Sequence, residues 1–188
     1  AGRAARALTT VASALALAAG ALALAPAPAH ADGAVPSQEY FSYYPLNTVH
    51  QKGITGKGVT IAVIDGPVDT SNPALKGANI TDKSRCTIQD SPEGIRHGTD
   101  MAIILVSPIS GVAPDATLYN YQASTAGTIS NGSCDSKGGG LNTTGALINQ
   151  AVEDGAQIIS ISQSVSESSN ELKWAITNAI TKGVIIVA

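Results

Sequence analysis

The feature that most limits the fold is a regular alternation of short apolar runs with longer helix-like segments, which begins after Gly53. The short runs are continuous and rich in β-branched residues, which is typical of strands buried on both faces of a sheet. Two of the longer segments end at a glycine, a common helix stop. The short runs are "VTIAVID", "ATLYNYQA", "AQIISISQS" and "GVIIVA", and the helix-like segments are "GTDMAIILV", "LNTTGALINQAVEDG" and "SSNELKWAITNAITKG".

This alternation predicts an α/β fold. Strands that are joined through helices make right-handed crossovers, so we expect a mainly parallel sheet with helices on both faces. Folds of this kind place their ligand sites beyond the carboxyl ends of the strands. That rule draws attention to Asp65, the last residue of the first predicted strand.

The composition is that of a chain with a sizeable core and no nucleic-acid-binding surface. Of the 188 residues, 44% are hydrophobic and only 13% are charged, which favours a single folded domain. Eleven basic residues stand against 14 acidic ones, so the chain has no excess of positive charge with which to bind phosphates or a membrane surface. We therefore predict neither nucleic-acid nor membrane-surface binding.

The amino-terminal residues have the order of a secretory leader. Arg3 and Arg6 precede an apolar run over residues 7–25, and small residues follow at Ala29 and Ala31. We expect a signal peptide over residues 1–31, export to the outside of the cell, and no stable membrane association once it is removed. An uncleaved membrane anchor is the alternative, disfavoured because the run is mostly alanine and threonine.

Cys86 and Cys134 are the only cysteines, and both lie in polar segments rich in Gly, Ser and Asp. An even cysteine count in an exported chain favours a disulfide between them. A zinc site lacks the usual paired Cys and His spacing, and a nucleophilic thiol lacks an evident partner base. Both remain as less favoured alternatives.

Asp65 and His97, each considered alone, can be explained by local structure without any catalytic role. Asp65 precedes Gly66 and Pro67, and an aspartate in that position commonly forms a turn at the end of a strand. His97 precedes a helix-like run and is placed where a residue can cap the helix. Alternatively, Asp65 holds an imidazole in one tautomer and His97 moves a proton.

The contexts of Asp65 and His97 together resemble the subtilisin-like serine proteases. The resemblance rests on several motifs in the family's order, "ITGKGVTIAVIDGPVDTSNPAL", "HGTDMA", "SGVAPDATLYNYQA" and "ALINQAVEDGAQIISIS", and it covers residues 44–188. It implies that Asp65 is the aspartate of a catalytic triad and that His97 is the general base, which also begins its helix. The order Asp, His, Ser along the chain belongs to this family.

The resemblance also implies where a substrate binds. Ser162, Gln163 and Ser164 match the edge that pairs with the substrate backbone as an added strand, although Gln163 replaces the usual leucine with a more polar side chain. The loop over residues 130–140, with its glycines Gly138 to Gly140, is expected to form another wall of the cleft.

Departures from the family pattern bear on metal binding and on the helix. Ala74 stands where the family often has a calcium-binding aspartate, so we predict no metal site and no cofactor. Asp100 stands where the family usually has histidine or an apolar residue, which changes the packing expected behind His97.

The family's nucleophilic serine, in a Gly-Thr-Ser segment, is expected beyond Ala188. We therefore expect residues 53–188, after an extension over residues 32–52, to be the amino-terminal part of a three-layer subtilisin-like domain, incomplete at its carboxyl end. The implied function is that of a secreted serine endopeptidase that acts on peptides or proteins, with this chain as a fragment. The alternative is a catalytically inactive relative that binds peptides.

Overall fold

The computed structural model describes residues 39–125, 127–137, 140–164 and 169–188. The predicted leader, the start of the extension, and Gly138 and Gly139 lie outside these residues. The helices are α1 (Glu39–Tyr43), α2 (Leu46–Gln51), α3 (Pro92–Val106), α4 (Ser133–Ser136), α5 (Thr144–Glu153) and α6 (Asn170–Thr181). The strands are β1 (Thr60–Asp65), β2 (Asn79–Asp82), β3 (Gln89–Asp90), β4 (Thr117–Gln122), β5 (Thr128–Ser130), β6 (Ile158–Ser160) and β7 (Ile185–Val187).

The main sheet has five strands in the order β2-β4-β1-β6-β7, and every neighbouring pair is parallel. The four strands expected from the sequence are all present, and the mainly parallel α/β architecture is confirmed. Strand β1 lies at the centre, and its last residue, Asp65, is in register with Gln122 of β4. The carboxyl ends of the two strands therefore meet at one edge of the sheet.

Helices cover both faces of this sheet. Successive side chains of β1 point to opposite faces, as strand geometry requires. Ala62 and Ile64 belong to one buried cluster together with residues of α5 and α6. Ile61 and Val63 belong to a second cluster with residues of α3. The continuous apolar run from Ile61 to Ile64 in β1 follows from this burial on both sides.

Strand β2 was not expected from the sequence. Its residues "NITD" contain one apolar side chain, Ile80, and the strand lies at the edge of the sheet, largely exposed. An edge strand buries little, so it shows no continuous apolar run. The antiparallel pair β3 and β5 was also not expected, because strands of two and three residues are too short to show a pattern.

Helix α3 begins earlier than the sequence analysis placed it, and this corrects the capping role given to His97. The N-cap is Ser91, whose hydroxyl accepts a hydrogen bond from Gly94 N at 3.1 Å, and Pro92 occupies the first helical position. Serine and proline are favoured at these two positions. His97 lies in the second turn and does not begin the helix.

Helices α1 and α2 pack against the loop that follows α3. Tyr40 Oη donates a hydrogen bond to Ser110 O at 2.9 Å, and His50 Nε2 lies 3.0 Å from Val112 O. This loop leads into the first residue of β4, so the contacts lie at the end of the sheet opposite Asp65. No described helix is long and apolar enough to cross a membrane.

Candidate active site

Asp65 is a fully buried carboxylate at the carboxyl end of the central strand. Its Oδ1 accepts a hydrogen bond from Gly66 N at 2.6 Å and lies 2.9 Å from His97 Nδ1. A carboxylate has no proton to donate, so Nδ1 of the imidazole is the donor of the second bond. Nε2 is then the ring nitrogen that is left to accept a proton from another group.

The His97 side chain lies between the buried Asp65 carboxylate and the solvent. About 46% of its side chain is exposed, whereas that of Asp65 is not exposed at all. A carboxylate that is withdrawn from water and bonded to Nδ1 fixes both the tautomer and the ring orientation, and it stabilises the imidazolium that forms on protonation. The pair has the geometry of a general base with its orienting acid.

Glycines allow α3 to approach the end of β1 closely enough for this contact. A Cβ atom added at Gly98 would lie 2.7 Å from the carbonyl oxygens of both Gly66 and Pro67. One added at Gly66 would lie 2.8 Å from Gly94 O. Since real Cβ atoms do not approach backbone that closely, any side chain at Gly66 or Gly98 would push the helix away from Asp65. The packing places His97 against Asp65.

The hydroxyl of Thr99 bonds α3 to the segment that follows Asp65. Thr99 is buried and its Oγ1 donates a hydrogen bond to Ile95 O at 2.6 Å. The same oxygen accepts a hydrogen bond from Asp69 N at 2.9 Å. The segment that follows Asp65 is therefore bonded to α3 within one turn of His97.

Asp100 does not pack behind His97. Its carboxylate accepts a hydrogen bond from Arg96 at 3.1 Å on the exposed side of α3. Arg96 also contacts Glu93. Both carboxylates raise the pKa of the Arg96 guanidinium, Glu93 more than Asp100. The unusual residue at position 100 is thus part of a surface ion-pair group.

His97 and the predicted substrate edge line the same cleft, which has a volume of about 330 Å³. Strand β6 ends at Ser160, and the edge continues from it as Ser162, Gln163 and Ser164. Ser162 and Ser164 are exposed and Gln163 is half-buried. The remaining lining residues are Glu93, Gly94, Ser124, Thr125 and Gly127.

Ser124, Thr125 and Gly127 form a wall of the cleft that was not expected from the sequence. These residues directly follow β4, so the rule that singled out Asp65 at the end of β1 also applies to them. The wall predicted from the sequence was instead the loop over residues 130–140. Among the described residues of that loop, none lines the cleft. Asn131 supports the wall from behind, since its Oδ1 accepts a hydrogen bond from Ser124 Oγ at 3.0 Å.

A disulfide joins Cys86 to Cys134. Both cysteines are buried and pack with Ile88 and the half-buried Leu141 in a small cluster separate from the two cores beside the sheet. The bond attaches α4, which contains Cys134, to the segment that leads from β2 into β3. It stabilises the part of the molecule that supports the Ser124 wall.

Neither a metal cluster nor a paired nucleophile is found in the described part of the chain. No group of three or more His, Cys, Asp or Glu side chains there is arranged to hold a metal ion. Ser124, Ser162 and Ser164 line the cleft, but within the described residues no serine hydroxyl is hydrogen-bonded to His97. The described residues thus present at the cleft an imidazole that is bonded to a buried carboxylate.

Comparison with known proteins gives a consistent family match. A family model described as the Subtilase family matches residues 56–188. The chain is 34% identical over 152 residues to the major intracellular serine protease of Bacillus subtilis, a match that covers 72% of this chain and 43% of that protein. It is 31% identical over 166 residues to the minor extracellular protease Vpr of the same organism, with 77% of this chain and 19% of that protein covered.

Solved structures give the same result. The prenylagaramide maturation protease PagA is 25% identical, with a TM-score of 0.55 over 75% of this chain and 48% of that one. MycP1 from the ESX-1 type VII secretion system is also 25% identical, with a TM-score of 0.52 over 78% and 43% of the two chains. The chain spans less than half the length of each of these proteins.

Proposed function

The chain belongs to the subtilase family of proteases, and we propose that it is the amino-terminal part of the catalytic domain of a secreted serine endopeptidase. The observation that carries the proposal is the 2.9 Å contact between the buried Asp65 carboxylate and His97 Nδ1 at the mouth of the cleft. A buried acid, an oriented imidazole and an adjacent peptide-sized groove are the parts that acyl transfer to a serine requires.

In this proposal His97 Nε2 removes the proton from a serine hydroxyl as the hydroxyl attacks the peptide carbonyl. Asp65 keeps the imidazole in the correct tautomer and stabilises the imidazolium, which then protonates the leaving amine. We assign the nucleophile and the side-chain donor of the oxyanion hole to a segment that follows Ala188. The chain order Asp, His, Ser of the family supports this assignment.

The exposed side of β7 supports the same assignment. Ile185 and Val187 are 59% and 55% exposed, and β7 pairs with β6 alone among the described strands. Apolar side chains on an open sheet edge are costly and prone to association, so protein normally covers them. We propose that a following segment of the same domain extends the sheet beyond β7.

Substrate binding is assigned to Ser162, Gln163 and Ser164. An extended peptide laid along this edge would exchange backbone hydrogen bonds with it, which makes binding largely independent of the peptide sequence. Gln163 contributes a polar side chain to the cleft, so this wall favours polar over aliphatic substrate groups at the position it contacts.

The test of the proposed function is fluorophosphonate labelling of the protein as its gene encodes it. We expect one labelled serine, in a Gly-Thr-Ser segment outside residues 32–188, together with hydrolysis of an unstructured protein substrate. A label on a serine within residues 32–188 would show that the nucleophile is wrongly assigned. A folded protein that binds peptides but is neither labelled nor active would instead be the inactive peptide-binding relative.

We further propose the division into a signal peptide over residues 1–31, an extension over 32–52 and the peptidase domain from 53. The mature protein is expected to begin at Asp32, since Ala29 and Ala31 supply the small residues that signal peptidase requires. Amino-terminal sequencing of protein from the culture supernatant measures this. Membrane-bound protein that retains residues 1–31 would contradict both the signal peptide and the secreted location.

A further inference from the structure

A second buried carboxylate, Asp90, lies beneath the first turn of α3 and has no role in the mechanism above. It is 8% exposed and immediately precedes the helix cap. Its Oδ1 accepts a hydrogen bond from Ser91 N at 2.8 Å, and its Oδ2 accepts one from Thr125 Oγ1 at 2.9 Å. Among the described residues it has no cationic partner within salt-bridge distance.

Three glycines surround this carboxylate, and each belongs to a different part of the site. A Cβ atom added at Gly127 would lie 2.7 Å from Asp90 Oδ1, and one added at Gly66 would lie 3.2 Å from Oδ2. One added at Gly94 would overlap the carboxylate. The carboxylate of Asp90 is therefore packed between the turn after Asp65, the helix that contains His97, and the cleft wall.

Two hydrogen bonds join the wall to Asp90 and its neighbour Ser91. Ser91 N donates a hydrogen bond to Gly127 O at 2.9 Å, in addition to its bond to Asp90. Thr125 Oγ1, which donates to Asp90, also accepts a hydrogen bond from Gly127 N at 3.2 Å. The positions of Thr125 and Gly127 consequently depend on the hydroxyl that Asp90 holds.

Burying a carboxylate without a cation is costly unless its oxygens are hydrogen-bonded. Here the compensation comes from the Thr125 hydroxyl, a backbone N–H and the positive end of α3. Of these, the Asp90–Thr125 bond is the one that reaches the cleft wall, and it acts beside the backbone bond from Ser91 N to Gly127 O, so its removal should shift Thr125 relative to His97.

We propose that Asp90 is a positioning residue of the substrate cleft, which holds the wall formed by Ser124, Thr125 and Gly127 against α3 at a fixed distance from His97. The proposal rests on the proposed function in that the cleft is taken to bind a peptide substrate. Asp90 itself touches neither the substrate nor the reacting atoms; it acts through Thr125.

The first test compares peptide hydrolysis by matched variants of the secreted protein. Asp90→Ala and Thr125→Val each remove the bond, and we expect KM to rise by about tenfold or more with a smaller change in kcat. Asp90→Asn keeps an acceptor oxygen for the Thr125 hydroxyl, so its KM should rise much less than that of Asp90→Ala. The double variant Asp90→Ala/Thr125→Val should be no worse than Asp90→Ala, because both changes remove one interaction.

The second test needs no activity and uses Gly94, the third residue of α3. Gly94→Ala should lower Tm in the wild-type background, because the methyl group displaces the Asp90 carboxylate. In the Asp90→Ala background the same change should leave Tm unchanged or raise it, since alanine favours helix over glycine. NMR spectra should show the amides of Thr125 and Gly127 shifted in Asp90→Ala and restored in Asp90→Asn.

The two sets of outcomes separate this inference from the proposed function. If Asp90→Ala lowers Tm but leaves KM and the wall amides unchanged, Asp90 is structural only and the inference is wrong. A Gly94→Ala effect of the same sign in both backgrounds would also overturn it. If the wild-type protein is neither labelled nor active while the amide shifts and the sign reversal occur, the proposed function fails and the positioning of the wall by Asp90 stands.

Discussion

Replacing His97 with alanine is expected to abolish fluorophosphonate labelling and to lower kcat for peptide hydrolysis by about 10⁴-fold or more. Without the imidazole the serine hydroxyl has no group to take its proton, and the leaving amine has no acid to protonate it. Labelling and kcat are measured on the protein as its gene encodes it, with circular dichroism to confirm that the variant is folded.

Asp65→Asn provides the matched test of the acid. Asparagine has nearly the same shape, but its amide cannot act as the fixed negative acceptor that holds Nδ1 protonated and stabilises the imidazolium. We expect a loss of about 10⁴-fold in kcat with little change in KM. Asp100→Asn, on the exposed side of the same helix as His97, is the control and should retain near-normal activity.

Both effects depend on the contact of 2.9 Å between Asp65 and His97. If His97→Ala retained labelling, a different base would serve the serine and the roles given to the pair would be wrong. If Asp100→Asn lost as much activity as Asp65→Asn, the loss would reflect disturbance of α3 in general and not the orientation of one imidazole.

Removal of the disulfide is the second change with a large expected effect, this time on stability. Cys86 and Cys134 are separated by 48 residues, and closing a loop of that length stabilises a fold by about 4 kcal/mol in the chain-entropy model. Loss of the bond alone should therefore lower the free energy of unfolding of the variant Cys86→Ser/Cys134→Ser by about that amount. Urea denaturation of the mature protein, followed by circular dichroism, measures it.

The buried position of both cysteines adds to this effect, since serine places unsatisfied hydroxyls in the small cluster with Ile88. Cys86→Ala/Cys134→Ala separates the two contributions, because alanine removes the bond without adding polar groups. Reduction of the wild-type protein should reproduce most of the alanine variant's loss. Thiols that react freely with an alkylating agent in the native protein would show that the bond does not form.

Some features of this protein could be predicted because they depend on consecutive residues. The four main strands were recognisable because a strand buried on both faces has to be apolar where it is buried, and β1 met that condition from Ile61 to Ile64. The position of Asp65 at the sheet edge followed directly from the end of that run. The pairing of Cys86 with Cys134 needed only the cysteine count, since two cysteines allow a single intramolecular bond.

Other features followed from the resemblance and not from any local pattern. Asp65 and His97 are 32 residues apart, and nothing between them indicates that their side chains meet. The family order suggested the pair, and the close packing of Gly98 on the backbone of Gly66 provides the physical means by which the two approach. The first turn of α3 was not expected, because the apolar helix-like run starts only after His97. Ser91 and Pro92 are nevertheless a common start signal for a helix.

The tertiary structure alone decided the arrangement around Asp90. Asp90 stands between a glutamine and a serine, a sequence context that indicates no function, and its packing depends on three glycines from three separate segments. The edge strand β2 was likewise settled by its pairing with β4, since exposed strands carry no apolar pattern. Periodicity records which side chains one element buries, whereas a site assembled from several loops depends on distances between elements, which no stretch of the chain encodes by itself.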